Sequence, residues 1–416
     1  MPKTFRPPEW PEVKPWKFIQ DGASTRRDDE ALAFETRLLH AGYDPLADAP
    51  SFRSFVPPLV QSVTYPYERF EVIPDFVYGR SQNPTTRVLE ERLASLEGGQ
   101  AAITACSGSQ AVFNLILTLT APGDNVVTSL NTFGEGYQQA AGIFPKHCGV
   151  SFRFVQDAAD PADWERAIDE RTRLVWVETP SNPCLFVTDI RAVAQVAHAH
   201  GVPLMVDNTA ATPALQKPLE LGADIVCLSI SKFLCGNATV LGGVVVGPRD
   251  LVQDIRFNTN EYVGAILQPF NAWLTLQFIE TLPMRMQRHS QNAQQVAEFL
   301  AEHPAVRRVN YPGLESHPGH ALARRQMSAM GGLLSFEVSG GMQAAARVMD
   351  ALRLISRAVT FGTSRTLCMH PATITHAEMK SEERLQAGIT PGLLRLSVGL
   401  ESPADIIADL RRALDG

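Results

Sequence analysis

The sequence predicts an α/β protein whose larger part is a mostly parallel sheet covered on both faces, followed by a smaller α+β region. Three observations carry this. From about residue 85, short apolar runs alternate with helical stretches, the pattern of strand–helix–strand units. The runs "NVVTSL", "RLVWVETP", "PLMVDNT", "DIVCLSI" and "GGVVVG" are apolar nearly throughout, as in strands buried on both faces. Near 255–270 the alternation stops. One long helical stretch and two separate strand-like runs follow.

Residues 1–34 are rich in Pro, charge and Trp and lack periodicity. They read as an extended arm, held down by Trp10 and Trp16 on a neighbour. "TTRVLEERLASLEGG" is an amphipathic helix closed by Gly98 and Gly99. "QAAITACSGS" gives a strand and a turn, and "QAVFNLILTLT" a helix. "AWLTLQFIETLPMRMQRHSQNAQQVAEFLAEH" reads as one long helical stretch. "GLLSFEV" and "LLRLSVG" read as strands and "ADIIADLRRALD" as a terminal helix.

Bulk properties exclude several classes. A chain of 416 residues with 45% hydrophobic content can bury a large core, enough for two domains. A net charge of −7 with no basic block argues against nucleic acid and anionic membranes as partners. No apolar run approaches the roughly 18 residues of a membrane span, and the N-terminus lacks the apolar core of a signal peptide. The six cysteines are scattered without a C-x-x-C pair, so reduced thiols in a cytoplasmic protein are expected. "HPGH" offers two histidines but no nearby third ligand, and no metal is expected.

One residue stands out. In "SISKFLCGN", Lys232 follows an apolar strand and precedes another, where an ammonium is costly. Chemistry in parallel sheets gathers at the carboxyl ends of strands, and three other strand ends carry polar residues. Gly108 and Ser109 open a helix whose free N–H groups suit an anion, although an ordinary helix cap has the same pattern. Glu178, Ser181 and Asn182 end a strand in "VETPSNP", which also reads as a proline-bounded turn. Asp207 ends "LMVD" as a partner for a cation or as a cap. A lysine in a dry pocket has a depressed pKa and can form an imine with an aldehyde. Pyridoxal 5′-phosphate (PLP) requires such a lysine, a phosphate cup and an acid facing its pyridine nitrogen. Gly108, Ser109, Ser229 and Ser231 supply the cup, and Asp207 the acid. Nucleotide-binding motifs are absent, and the partner motifs of S-x-x-K hydrolases are missing.

With these residues assembled, the chain resembles the Cys/Met-metabolism PLP enzymes from about Glu35 to its end. The matching stretches are "ETRLLHAG", "YGRSQNPTTRVLEERLASLEGG", "VETPSNP", "VDNTAATPALQKPLELGADIV", "SISKF", "YPGLESHPGH", "HPATITH" and "LLRLSVGLE". The resemblance implies PLP-dependent transferase fold type I, like aspartate aminotransferase, and a homotetramer of two active dimers. The division it suggests is 1–75 for the arm and a segment contacting the neighbouring subunit, 76–265 for the PLP-binding large domain and 266–416 for the α+β domain. Tyr78 and Arg80 match the pair that reaches the phosphate of the neighbouring subunit's cofactor. Arg395 matches the clamp for the substrate carboxylate, where bidentate geometry favours Arg. Thr360 replaces a serine whose backbone helps that clamp, and Asn182 matches a residue near the cofactor ring and substrate carboxylate.

Departures narrow the reaction. Where the family has "LYGGTY" this chain has "TFGEGY", so Phe133 replaces the tyrosine that stacks on the ring and protonates the leaving group. Leu228 and Asn237 replace usual histidines, and Gln277 a usual arginine. Arg365 in "TSRT" stands where lyases and cystathionine synthases carry Glu, and where sulfhydrylases carry a basic residue. A thiolate leaving group, of conjugate pKa about 8.5 or above, benefits from a proton. A carboxylate, at about 4, leaves without one. The expectation is γ-replacement on an O-acyl-L-homoserine with sulfide, a thiol or a carbon nucleophile, as in O-acetylhomoserine sulfhydrylase. A γ- or β-lyase or a cystathionine γ-synthase is the same-fold alternative, and a binding protein without turnover the different-class one.

Overall fold

The computed structural model describes residues 32–416 apart from 50 and 52, so the seating expected for Trp10 and Trp16 lies outside the described residues. A first sheet holds β1 (Ala101–Ala105), β2 (Asn125–Ser129), β3 (Ser151–Val155), β4 (Thr172–Glu178), β5 (Leu204–Asp207), β6 (Ile225–Ser229) and β7 (Gly243–Gly247). Their spatial order is β1-β7-β6-β5-β4-β2-β3. The sheet is mostly parallel. Only β7 opposes its neighbours, pairing antiparallel with β1 and β6. β2, β5 and β7 are buried at every position and β4 at all but Arg173, which is why their sequences carry no polar alternation. β3 was not apparent in the sequence. "SFRFV" pairs only with β2 at the sheet edge and is largely solvated.

Two helix ends fix the entry to the site. Asn83 caps the helix Pro84–Glu97 through the N–H groups of Thr85 and Thr86, and Gly98 ends it at φ 80°. Ser107 caps the helix Gly108–Leu119 by accepting from the Gln110 N–H. The cap therefore aims the turn after β1 at the carboxyl edge of the sheet.

The second sheet has the order β10-β11-β12-β9-β8, with β8 (Val306–Asn310), β9 (Leu333–Val338), β10 (Ser356–Arg357), β11 (Leu367–Met369) and β12 (Leu393–Ser397). The helices Leu282–Glu302 and Pro403–Asp415 bury Val296, Leu300, Ile406 and Leu410 against it. The single long helix expected over 272–303 is instead two, Pro269–Ile279 and Leu282–Glu302. Pro283 explains the break. It lacks an N–H, its ring clashes with the preceding turn, and it fits only at a helix start.

Asp409 ties the terminal helix to this layer. Its carboxylate accepts from the backbone N–H groups of Arg353, Leu354 and Ile355 and pairs with Arg412. Burial pushes its pKa up, but those donors outweigh burial and hold it below the usual value. Because the folded value is depressed, the stabilisation exists above the unfolded pKa and fades as pH falls through the folded one. Asp409→Ala should cost about 3 kcal/mol at neutral pH. Urea unfolding should show that deficit at pH 7 and a smaller one below about pH 4. An equal deficit at both pH values would contradict a charged anchor.

Candidate active site

Strand register brings the first two carboxylates together. Glu178 and Asp207 end neighbouring parallel strands and lie opposite each other in β4 and β5. Both are buried. Glu178 accepts from the N–H groups of Asn182 (2.7 Å) and Phe133 (2.6 Å). Burial and then the Asp207 charge raise Glu178 well above the ordinary carboxylate value. Burial likewise raises Asp207, against hydrogen bonds from Thr209. Asp207 has no cationic partner among the described residues. A cation against it would relieve both groups.

Thr209 joins the next strand to this pair. Its N–H donates to Asp207 (2.9 Å), and its hydroxyl accepts from the Ser229 N–H (2.8 Å). Ser229 ends β6 and faces Gly108 at the head of the helix Gly108–Leu119. A Cβ on Gly108 would lie 2.8 Å from the Ser229 Cβ, so only glycine permits this approach. The Ser109 carbonyl accepts from the Gln139 side chain (2.8 Å). Ser231 departs from a purely outward cup, since its hydroxyl accepts from the Gly242 N–H (3.0 Å).

Lys232 lies just past β6, at φ −101°, ψ −133° inside an otherwise helical turn. Its ammonium or amine Nζ donates to the Thr360 hydroxyl (3.0 Å) and lies 5.0 Å from the centre of the Phe361 ring. Burial, then the nearby Arg395 charge, lowers its pKa to about 8, partly offset by Glu135. Arg395 comes from β12 of the other sheet and is only 2% exposed. Its Nη1 donates to the Asn182 side chain (3.0 Å) and its Nη2 to the carbonyls of Val359 (2.6 Å) and Thr360 (2.8 Å). The Nε–H has no partner among the described residues, which leaves donor capacity for a carboxylate. Burial lowers Arg395 to about 10, so it remains charged at neutral pH.

The other expected residues sit apart or at the margin. Phe133 is half-buried, with its ring edge-on to Trp176 at 6.0 Å. Arg365 is exposed. Tyr78 is 40% exposed and carries the Arg80 guanidinium 5.2 Å above its ring. Three contributors escaped sequence reasoning. Thr209 was visible in "VDNT" as a hydroxyl after the strand-end acid. Phe361 follows Thr360 with no periodic signal. Glu135 stands in "TFGEGY" where the family pattern has glycine.

A buried acid without a cation among the described residues, a glycine-walled turn beside two serines, and a lysine of lowered pKa fit an aldehyde bearing a phosphate and a basic ring nitrogen. Fold and site define a PLP-dependent enzyme of fold type I. Residues 35–415 match the Cys/Met metabolism PLP-dependent enzyme family, and the chain belongs to it; its cofactor is pyridoxal 5′-phosphate. An L-methionine gamma-lyase of Pseudomonas putida is 43% identical over 393 residues, covering 92% of this chain and 97% of that relative. An O-succinylhomoserine sulfhydrylase of Pseudomonas aeruginosa is 43% identical over 342 residues, covering 82% and 84%. The solved cystathionine gamma synthase of Xanthomonas oryzae pv. oryzae superposes with a TM-score of 0.87 at 38% identity, covering 92% of this chain and 98% of that one.

The lowered pKa of Lys232 has a direct readout. A buried lysine titrating near 8 is about half free amine at pH 8, whereas an ordinary lysine at about 10.4 is under about 1% free. The rate at which cofactor-free protein condenses with PLP should rise with a midpoint near pH 8 and level off above about pH 9. Arg395→Gln removes a cation and should move that midpoint upward. A wild-type midpoint at or above pH 10 would contradict the burial of Lys232.

Proposed function

We propose that the protein catalyses γ-replacement on an O-acyl-L-homoserine, displacing the carboxylate with sulfide or a thiol. When bound, PLP supplies the electron sink that lets protons leave carbons near the substrate amine. In this reading Lys232 anchors the cofactor, then carries protons at the Cα and Cβ of the substrate. Its titration near 8 suits both the loaded and the unloaded form at neutral pH. Asp207 holds the ring nitrogen's proton. Gly108, Ser109, Ser229 and Ser231 cradle the phosphate, and Phe133 stacks on the ring. Arg395, oriented by Asn182 and by the carbonyls of Val359 and Thr360, binds the α-carboxylate. Arg365 lies in the wall around the acyl group.

The observation that carries this reading is the missing acid at position 133. A phenyl ring gives no proton. The nearby phenol, Tyr137, is engaged elsewhere: its buried hydroxyl donates to Glu383 at 2.6 Å, and burial pushes its pKa up to about 12. Thioether cleavage therefore lacks the phenol at position 133, and Tyr137 does not replace it, while loss of a carboxylate needs none. The names of the relatives favour a second reading, γ-elimination from methionine, since an L-methionine gamma-lyase matches nearly the whole chain.

We also propose the homotetramer of two active dimers, with Tyr78 and Arg80 serving the phosphate of a neighbouring subunit's cofactor. The support is a run of exposed apolar side chains upstream of them, including Phe55 at 89% and Phe70 at 97% exposure. Such a run suits a subunit contact.

Product analysis separates the readings. O-Acetyl- or O-succinyl-L-homoserine with sulfide should give homocysteine much faster than methionine or cystathionine gives an oxo acid. Phe133→Tyr should raise thioether elimination by about 10²–10⁴-fold and acyl displacement far less, since only the former lacks its acid. Wild-type enzyme that cleaves methionine as fast as it displaces the acyl group would establish the lyase instead.

A further inference from the structure

One buried carboxylate takes no part in the chemistry proposed above. Glu178 ends β4 opposite Asp207 and is only 8% exposed. Both of its oxygens are filled by donors of the chain itself. Oε2 accepts from the Phe133 N–H at 2.6 Å and from the Thr132 hydroxyl at 3.3 Å. Oε1 accepts from the Asn182 N–H at 2.7 Å. A carboxylate so engaged has little left to offer a ligand directly. Its partners are the groups that reach the ligand.

The two oxygens hold two different functional elements. Oε2 fixes the backbone of Phe133, whose ring is placed against the cofactor, just before the helix Gly134–Gln138. Oε1 fixes the backbone of Asn182, whose side chain accepts from the Arg395 Nη1 at 3.0 Å. Other contacts brace the first of these turns. Gly134 packs against the Thr375 carbonyl, and the His376 Nε2 lies 3.3 Å from the Thr132 carbonyl. Neither of those contacts also holds Asn182. The bonds to Glu178 are short and buried, the kind that costs most to leave unmade. A carboxylate is planar and rigid, so the two loops are held at one fixed separation.

We propose that Glu178 is a positioning residue that sets the Phe133 ring and the Arg395 guanidinium relative to each other, so that one carboxylate aligns the cofactor seat with the carboxylate clamp; this rests on the roles given above to Phe133 and Arg395, and not on which group leaves. Glutamine has the shape of glutamate but only one accepting oxygen. Glu178→Gln therefore leaves one of the two N–H groups facing an amide NH2. Two equilibrium measurements read the two ends: PLP binding to cofactor-free protein, and L-norleucine binding to protein saturated with PLP, both followed by cofactor absorbance. Glu178→Gln should weaken each by about tenfold. In a Phe133→Ala background, with no ring to aim, its effect on PLP should shrink to within about twofold. In an Asn182→Ala background its effect on norleucine should shrink likewise. A residue that only stabilises the fold would give additive losses. Additive losses, or a folded Glu178→Gln protein with both affinities unchanged, overturn the proposal. If Phe133→Ala and Asn182→Ala by themselves leave both affinities unchanged, the roles assigned to those residues fail and the proposal falls with them. Should Glu178→Gln not fold, Glu178→Asp, one methylene too short to meet both N–H groups, carries the same cycles with the same criteria.

Discussion

The site depends on one buried guanidinium. Arg395 belongs to the second sheet, yet its hydrogen bonds end on Asn182, from the loop after β4 of the first, and on the carbonyls of Val359 and Thr360. A charge so deep is tolerable only when hydrogen-bonded, and removing its partners would cost several kcal/mol. Arg395 therefore fixes where the loop after β10 passes. That loop carries Thr360, whose hydroxyl accepts from Lys232, and Phe361, whose ring lies near both cations. Hydrogen bonds and strand register thus link the lysine, the arginine and the strand-end acids although they come from different layers.

Electrostatics in the cleft follows from burial. Lys232 is driven toward the neutral amine by desolvation and by Arg395. Asp207 is driven toward the acid by burial, against the hydrogen bonds from Thr209. Each group is poised for a ligand of opposite demand: an aldehyde for the amine, and a basic nitrogen for the acid. The pair of perturbed groups beside a glycine-walled turn is the physical reason that the fold suits PLP rather than a nucleotide.

Much of this was legible in the sequence because burial leaves a clear mark. Apolar runs that end abruptly in Asp207, in Glu178 and in the serines before Lys232 mark strand ends, and the structure groups those residues. The solvated edge position of β3 and the brevity of β10 and β11 hid those strands, since such short segments are too few residues to establish a period. Pro283 divided what looked like one helix. Phe361 and Glu135 were illegible for a different reason. A phenylalanine after a threonine and a glutamate in a first helical turn look ordinary until the chain is folded. Only the three-dimensional neighbourhood shows that the Phe361 ring lies near Lys232 and Arg395 and that the Glu135 charge bears on both.

The assignment of Lys232 as the cofactor's anchor is tested most directly by reducing the holoenzyme with borohydride, digesting it and mapping the pyridoxyl group by mass spectrometry. The label should appear on the peptide containing Lys232 and on no other, and Lys232→Ala protein should carry none. A label on another lysine, or a reducible link that survives in Lys232→Ala, would contradict the site built here.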